Sequence, residues 1–393
     1  MPITVVHAAD LHIDSPLTGL ARYEGAPWEA VLSATRAAFR RLIQLCLDRE
    51  AKLLLLAGDL FDGSWGDFNT ALFFAAEIVR LREIDCQVVL LRGNHDAQSQ
   101  IEHALPRLPH VHELHTKRAE VKRYERLGIS VTGQGFATRA VVTDLAAGYP
   151  DADPHEFSIA LLHTSLDGRQ GHDNYAPTKL ATLLDKGYSY WALGHVHQHE
   201  EVHPRVVFPG NLQGRHVRET GPKGAMVLKI DGLACTRREH IALDVVRWEH
   251  LHIDVSDARS CADAIDLVSE QVRATQAEIG HTLATRVTLR GATPAPLARD
   301  AEELLAQLRA SLLGEPVYLE KLRVRTEETR RAAHPLLPYL VQTTPELQTE
   351  LDAALADLPR ELRQEVQTAI GDPPEWLRQV LREVSQRLGG EAE

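Results

Sequence analysis

The chain has little of what would place it in a membrane or an oxidising compartment. Its 393 residues include only four cysteines, Cys46, Cys86, Cys235 and Cys261, and no C-x-x-C pair. That spacing excludes a disulfide framework and a zinc ribbon, and the thiols read as reduced and buried. No apolar run approaches the ~20 residues that span a bilayer. The stretch Met1 to Asp10 also lacks the basic segment and small-residue cleavage site of a secretory leader. A cytoplasmic protein without a membrane partner is therefore expected. Excess positive charge is missing too. The formal balance of −12 argues against a chain coated for nucleic acid, although local binding stays open because divalent cations invert the charge of a carboxylate-rich site. Repeats and low-complexity tracts are absent.

What the chain does have is histidine, 20 residues of it, which is more than a core normally uses and makes metal chemistry worth testing. The length exceeds one ordinary core, so two domains and an appendage are expected. Ile3 to Ala8, Lys52 to Ala57 and Gln87 to Leu91 read as buried strands. Between them fall a helix starting near Pro27, with Phe39, Leu42, Ile43 and Cys46 on one face, and a second over Phe68 to Glu83. After Val111 the pieces shorten, as in Gly128 to Val131; beyond the loop-like Tyr149 to Pro154 come Phe157 to Leu162, Tyr190 to Leu193, Val206 to Phe208, and Ala225 to Ile230, which closes the sheet region. This alternation predicts a layered α/β domain over 1–235.

Near Asp231-Gly232 the texture changes. Strand signals at Trp248 to Val255, Arg286 to Leu289 and Val317 to Val324, with helices over Ala262 to Ile279 and Leu297 to Leu313, predict a small β-α-β-α-β capping domain over 236–330. The remainder, 331–393, reads as helical. Leu347, Leu351, Leu355, Leu358, Leu362, Val366 and Ile370 form one stripe broken by Pro359, and a last helix runs from Pro374 toward Gly389-Gly390.

The chemistry gathers at the ends of the apolar runs, where open α/β sheets place their sites. Asp10-Leu11-His12, Gly58-Asp59-Leu60-Phe61-Asp62, Gly93-Asn94-His95-Asp96, His163 and Gly194-His195-Val196-His197 each leave such a run. Asp10, His12, Asp59, Asn94, His163, His195 and His197 are seven hard or borderline ligands. Two six-coordinate ions need that number when one carboxylate is shared and water fills the remaining positions. Two divalent ions ~3.5–4 Å apart activate a shared hydroxide and clamp both oxygens of a phosphoryl displacement. The expected distribution puts Asp10, His12, Asp59 and His197 on one ion. Asp59, Asn94, His163 and His195 take the other, with Asp59 bridging. His95, next to a ligand, is placed to protonate the leaving oxygen. Asp62 and Asp96 are expected to orient histidines from behind. Oxygen- and imidazole-rich donors suit manganese. One D-x-H occurs by chance; five motifs in order, each at a strand end, do not.

These motifs resemble those of the calcineurin-like metallophosphoesterase superfamily: D-x-H, G-D-x-x-D, G-N-H-D/E, a lone His and G-H-x-H. Asp62 is followed by Gly63-Ser64 rather than Arg-Gly, unlike the protein phosphatase branch. The stretches Asp10 to Pro16, Gly93 to Ala97, Gly133 to Phe136 and Phe208 to Arg215 are similar to bacterial DNA repair exonucleases of the SbcD and YhaO type. The likeness is specific over roughly the first 230 residues. It implies a four-layer αββα sandwich, hydrolysis of phosphodiesters at DNA ends, and an SbcC-like ABC ATPase partner with a coiled coil. A homodimer is left open. Two other readings stand beside it: a phosphodiesterase or phosphatase for a nucleotide or other small phosphoester, and an assembly subunit whose catalysis is secondary.

Other features have plainer readings. His250 to Asp254 echoes the first motif without its partners and reads as strand. His163-Thr164-Ser165 with Asp167 lacks a nucleophile elbow. His199, His203 and His216 are either substrate contacts or surface. Lys321, Arg323, Arg325, Arg330 and Arg331 are interrupted by Glu327 and Glu328 and read as a solvated face. The C-terminal stripes suit a packed bundle or a docking surface equally.

Overall fold

The computed structural model describes residues 2–15, 20, 22–62, 68–98, 108–167, 175–297, 301–328 and 337–387. Pro16, Gly63, Ser64, Arg330, Arg331, Gly389 and Gly390, which entered the readings above, lie outside them.

Two six-stranded sheets dominate the first part of the chain. In one, β1 (Ile3–Ala8), β2 (Leu53–Ala57), β3 (Gln87–Leu91) and β4 (Val111–Glu113) run parallel. The other contains β5 (Glu120–Tyr124), β6 (Ile129–Gly133), β7 (Phe157–His163), β8 (Tyr190–Gly194), β9 (Glu200–His203) and β10 (Val206–Phe208). Its order is β5-β6-β7-β8-β10-β9, with parallel pairing at its centre. Two antiparallel strands, β11 (Gly224–Asp231) and β12 (Ala234–Ala242), complete the first sheet in the order β12-β11-β1-β2-β3-β4.

Side-chain alternation explains the layering. Along β2, Leu53, Leu55 and Ala57 join Ile129, Val131, Ile159, Leu161 and Ala192 in a core between the two sheets. Leu54 and Leu56 point the other way, onto Phe39, Leu42 and Ile43 of α2 (Ala34–Asp48), which follows the short α1 (Trp28–Leu32), and onto Phe74 and Ile78 of α3 (Phe68–Arg80). The far face of the second sheet packs Leu162, Trp191 and Leu193 against Leu183 of α4 (Leu180–Asp185) and Tyr149. Strands covered on both faces must be apolar at every position, so β2 and β7 read as continuous runs rather than alternating ones. The result is the αββα sandwich.

One polar group sits in the core between the sheets. The Nδ1 of His7 meets the Tyr190 hydroxyl at 3.0 Å and its Nε2 meets the Leu193 carbonyl at 3.1 Å, so the neutral ring satisfies both partners. Burial pushes its pKa down to about 3. The unfolded chain takes up a proton below about pH 6.5 that the folded chain refuses. His7 therefore leaves stability intact above pH 6.5 and erodes it as the pH falls toward 3. Urea melts at pH 7 and pH 5 should show a steeper loss for the wild type than for His7→Gln; parallel losses would assign the acid sensitivity elsewhere.

The expected boundary after residue 235 is not where the first sheet ends. It falls inside β12, whose exposed and half-buried residues give no apolar signal but pair with β11 from Gly224↔Ala242 to Asp231↔Ala234. Beyond it, β13 (Val246–Asp254), α5 (Cys261–Ile279), β14 (Thr282–Thr293), α6 (Ala301–Ser311) and β15 (Val317–Glu328) follow the expected β-α-β-α-β order, in a sheet ordered β13-β14-β15. This segment is not one compact unit. Residues to Ile253, Val268–Thr288 and Leu305–Arg323 form the first unit, and Asp254–Leu267, Leu289–Leu304 and the residues from Val324 onward form the second. The reason is visible in the first unit, where Trp248, Ala284 and Tyr318 share an apolar cluster with Val31 and Ala34. His250 hydrogen-bonds Thr288 across the strands, as a strand residue should.

In the second unit α7 (Leu337–Asp357), α8 (Arg360–Ile370) and α9 (Pro373–Arg387) follow one another. Pro359 separates α7 from α8, and Gly371, at φ 74°, ends α8. Among the described residues no helix is long and apolar enough to cross a membrane.

Candidate metal centre

The carboxyl ends of five strands bring all seven predicted ligands to one edge of the sandwich. Asp10 and His12 follow β1, Asp59 follows β2 and Asn94 follows β3. His163 ends β7, while His195 and His197 follow β8. The backbone pays for this gathering: Asp10 (φ 51°), His12 (φ 43°), Asp59 (φ 52°) and His195 (φ 102°) all occupy the left-handed region that non-glycine residues avoid. Strain of this kind persists where surrounding structure over-determines it, typically at working sites. Here the Asp10 and His12 amides donate to the Gly58 and Asp59 carbonyls, each at 3.0 Å. Gly93 is required by space, because a Cβ there would overlap Asp59 Oδ1.

Asp96 does not orient a histidine as expected. Its carboxylate accepts the backbone N–H groups of Leu60, Phe61 and Gly93 at 2.9–3.0 Å, and so binds the Asp59 turn to the Asn94 turn. Asp62 does take the expected role, accepting from His12 Nδ1 at 2.8 Å.

The tautomers explain why the cluster suits cations. A carboxylate or carbonyl can only accept, so each buried ring facing one carries its proton there. His12 Nδ1 faces Asp62, His197 Nδ1 faces Glu219 at 2.7 Å, and His163 Nδ1 faces the Ala57 carbonyl at 2.9 Å. In the neutral rings all three Nε2 lone pairs then point inward. His12 Nε2 lies 3.3 Å from His197 Nε2, and His163 Nε2 lies 3.0 Å from Asn94 Oδ1 and 3.4 Å from Asp59 Oδ2. Acceptors facing acceptors at these distances repel unless a cation lies between them. At His163 a proton can stand in for that cation, as the pKa shifts show. Burial pushes His163 down, but the Asp59 and Asp10 carboxylates outweigh it and raise its pKa. Burial likewise pushes Asp59 up, but His163 and His12 hold it below the usual carboxylate range.

Two groups of donor atoms lie within 4.8 Å of one another: Asp10 with His12 and His197, and Asp10 with Asp59 and His163. Asp10 thus stands between the two groups together with Asp59, whose Oδ2 is 4.0 Å from His12 Nε2. His195 contributes its backbone N–H to both Asp10 oxygens (3.2 and 3.0 Å), and its ring stands edge-on to that of His163 at 5.2 Å. A third group, His12, Asp62 and His95, is also close enough to share an ion, but there His12 would present the nitrogen it uses toward Asp62. His95 is 37% exposed, its Nδ1 is 3.3 Å from Asp62 Oδ1, and its amide donates to Asp59 Oδ1.

Sequence reasoning missed Glu219 and the role of Arg215. Glu219 accepts from His197 Nδ1, from the Arg215 amide at 2.7 Å and from the Asn211 side chain at 3.1 Å. Burial alone would raise its pKa; the His197 hydrogen bond and the Arg215 charge hold it well below the carboxylate range. Arg215 lies between the two carboxylates that orient histidines, 3.5 Å from Asp62 and 3.4 Å from Glu219. No local pattern marks Glu219, which reaches His197 from 22 residues away. Of the histidines left open, His199 contacts the Phe208 carbonyl and stacks on His240, and His203 accepts the Arg205 amide. Loss of a carboxylate behind a ligating histidine typically weakens metal affinity about 10–100-fold. Glu219→Gln should do so for one ion only, read as one weakened and one unchanged event in calorimetry with Mn²⁺. Two equal losses would contradict the pairing of Glu219 with His197.

The fold and this site define a metallophosphoesterase, and the chain belongs to the calcineurin-like phosphoesterases, whose family model matches residues 3–199. That span carries all seven expected ligands, from Asp10 to His197. A model of the middle domain of metallophosphoesterase YhaO matches residues 248–327. In particular, the chain is similar to the uncharacterized metallophosphoesterase YhaO of Bacillus subtilis, 31% identical over 340 residues, covering 85% of this chain and 80% of that one. It is also similar to the DNA double-strand break repair proteins Mre11 of Methanopyrus kandleri (28% over 230 residues, 53% and 48% of the two chains) and Saccharolobus solfataricus (23% over 205 residues, 50% and 49%). The matched region spans about half the length of these Mre11 proteins. Family and site together make the protein a metal-dependent phosphoester hydrolase.

Proposed function

We propose that the protein is a DNA nuclease that hydrolyses phosphodiester bonds at DNA ends with two divalent ions, manganese by preference. The observation that carries this reading is the convergence of three imidazole lone pairs, the Asn94 amide oxygen and the Asp10 and Asp59 carboxylates on one edge of the sandwich. Likeness to two Mre11 proteins supports DNA as the substrate class.

Bound ions would supply a water of lowered pKa and neutralise charge on the phosphoryl group in flight. The chain's own residues do the remainder. Asp62 and Glu219 fix the tautomers of His12 and His197, and Arg215 spaces the two carboxylates. With Nδ1 of His95 turned toward Asp62, its Nε2 is the nitrogen left to hold a proton for the leaving oxygen. A net charge of −12 gives duplex DNA little overall attraction, so the proposal includes a coiled-coil ATPase partner that grips phosphates. Stimulation of DNA cleavage, but not of small-diester cleavage, by such an ATPase and ATP is its test.

The nuclease reading is tested by stripping the protein of metal, reloading it with Mn²⁺, and offering end-labelled linear duplex and a chromogenic small diester. Metal-dependent shortening of the duplex from its ends is expected. Hydrolysis of the small diester alone would replace DNA with a small phosphoester as substrate.

A further inference from the structure

On the His197 side of the cluster an open cavity of about 370 Å³ is faced by Arg215, His216, Arg218 and Lys223, with His197 and Glu219 forming its wall toward the ligands. Three basic side chains, Arg215, Arg218 and Lys223, thus surround one carboxylate, Glu219. Two of the three are anchored. Arg215 is held by Ser15, Asp62 and Glu219, and Lys223 Nζ donates to the His197 carbonyl at 2.7 Å. Arg218 is exposed, and among the described residues no carboxylate pairs with its guanidinium. The Arg218 amide donates to His216 Nδ1 at 3.3 Å, which fixes the turn that carries both side chains. Like charges facing a common cavity repel, and an anion seated between them relieves that repulsion.

The cavity and the cluster share one imidazole. Nε2 of His197 faces Asp10 and His12, while its Nδ1 edge faces Glu219 at the cavity wall. A phosphodiester over the cluster therefore has its next neighbour along a strand about one imidazole away. Arginine suits that neighbour, because its planar fork matches the geometry of a phosphate. A small diester has nothing to place there.

We infer that this cavity is a subsite for the phosphate adjacent to the scissile one in a nucleic-acid strand, with Arg218 as its principal contact. The inference rests on the cluster being the place where phosphodiesters are cleaved. It makes a strand, rather than an isolated phosphoester, the substrate that the site selects.

The test separates the subsite from the nuclease reading. Thymidylyl-thymidine with and without a terminal phosphate, at the 5′ or the 3′ end, is used as a competitor of small-diester hydrolysis by the Mn²⁺-loaded full chain. A terminal phosphate at one of the two ends should lower Ki about tenfold, the scale of one charge-assisted contact. Arg218→Ala should remove most of that gain, Arg218→Glu should turn it into a penalty, and Arg218→Lys should keep part of it. The gain should also shrink with added salt. Equal Ki values with and without the phosphate at either end, or a gain that survives Arg218→Glu, would overturn the subsite. Whether the dinucleotides are themselves cut is read separately and bears on the nuclease proposal alone. Arg218 is exposed, so these variants should fold, and thermal melting checks that.

Discussion

Asp59→Ala should reduce phosphoester hydrolysis by at least about 10³-fold, the several kcal/mol that bound ions typically supply. It should also leave no strong Mn²⁺ binding in calorimetry. The Asp59 carboxylate reaches histidines of both donor groups. Asp59 Oδ2 lies 3.4 Å from His163 Nε2 and 4.0 Å from His12 Nε2, between the two groups of donors. Its Oδ1 receives the His95 amide and fills the space that Gly93 leaves open. Removing it takes a carboxylate from beside both His163 and His12, whereas Glu219→Gln disturbs only His197. Asp59→Asn separates the two contributions, since it keeps the shape and the hydrogen bond but loses the charge. Two undiminished binding events in Asp59→Ala would mean that Asp10 alone bridges, which its position beside both groups allows.

His95→Ala should behave in the opposite way, keeping both ions and losing about 10²–10⁴-fold in turnover, the usual contribution of a positioned general acid. The ring touches the edge of the cluster, 5.1 Å from His12, without sharing its ligands' inward lone-pair arrangement. It is also the exposed member of the set, which a group that meets substrate must be. The effect should depend on the leaving group: a nitrophenolate, which departs without a proton, should lose far less than a deoxyribose oxygen. Metal analysis is the decisive measurement. Lost occupancy in this variant would make His95 a ligand, in the group it forms with His12 and Asp62.

The gathering of the candidate ligands was legible in the sequence because each stands after an apolar run, as buried parallel strands require. The same physics hid other parts. β12 is an edge strand with no buried residue, so its sheet membership rests on backbone pairing with β11 that residue types do not encode. Asp96 reads like any acid next to a histidine, but its direction is set by three amides that only the folded turn presents. Glu219 and Arg215 act over long sequence separations, Arg215 reaching Asp62 across 153 residues. The small three-stranded sheet was legible as a pattern but not as a unit, because Trp248 and Tyr318 find their packing partners near Val31.

The division of the ligands between the two sheets has a mechanical consequence. Asp10, His12, Asp59 and Asn94 hang from one sheet, whereas His163, His195 and His197 hang from the other. Any ion held by both sets is a rivet through the sandwich, at an edge where apolar packing gives way to polar side chains. Because the unfolded chain offers no such site, occupancy is linked to folding, and added metal stabilises the protein in proportion to the logarithm of its concentration over Kd. Stripped of metal, the two sheets lose that link, so a chelator should loosen the enzyme first at this edge.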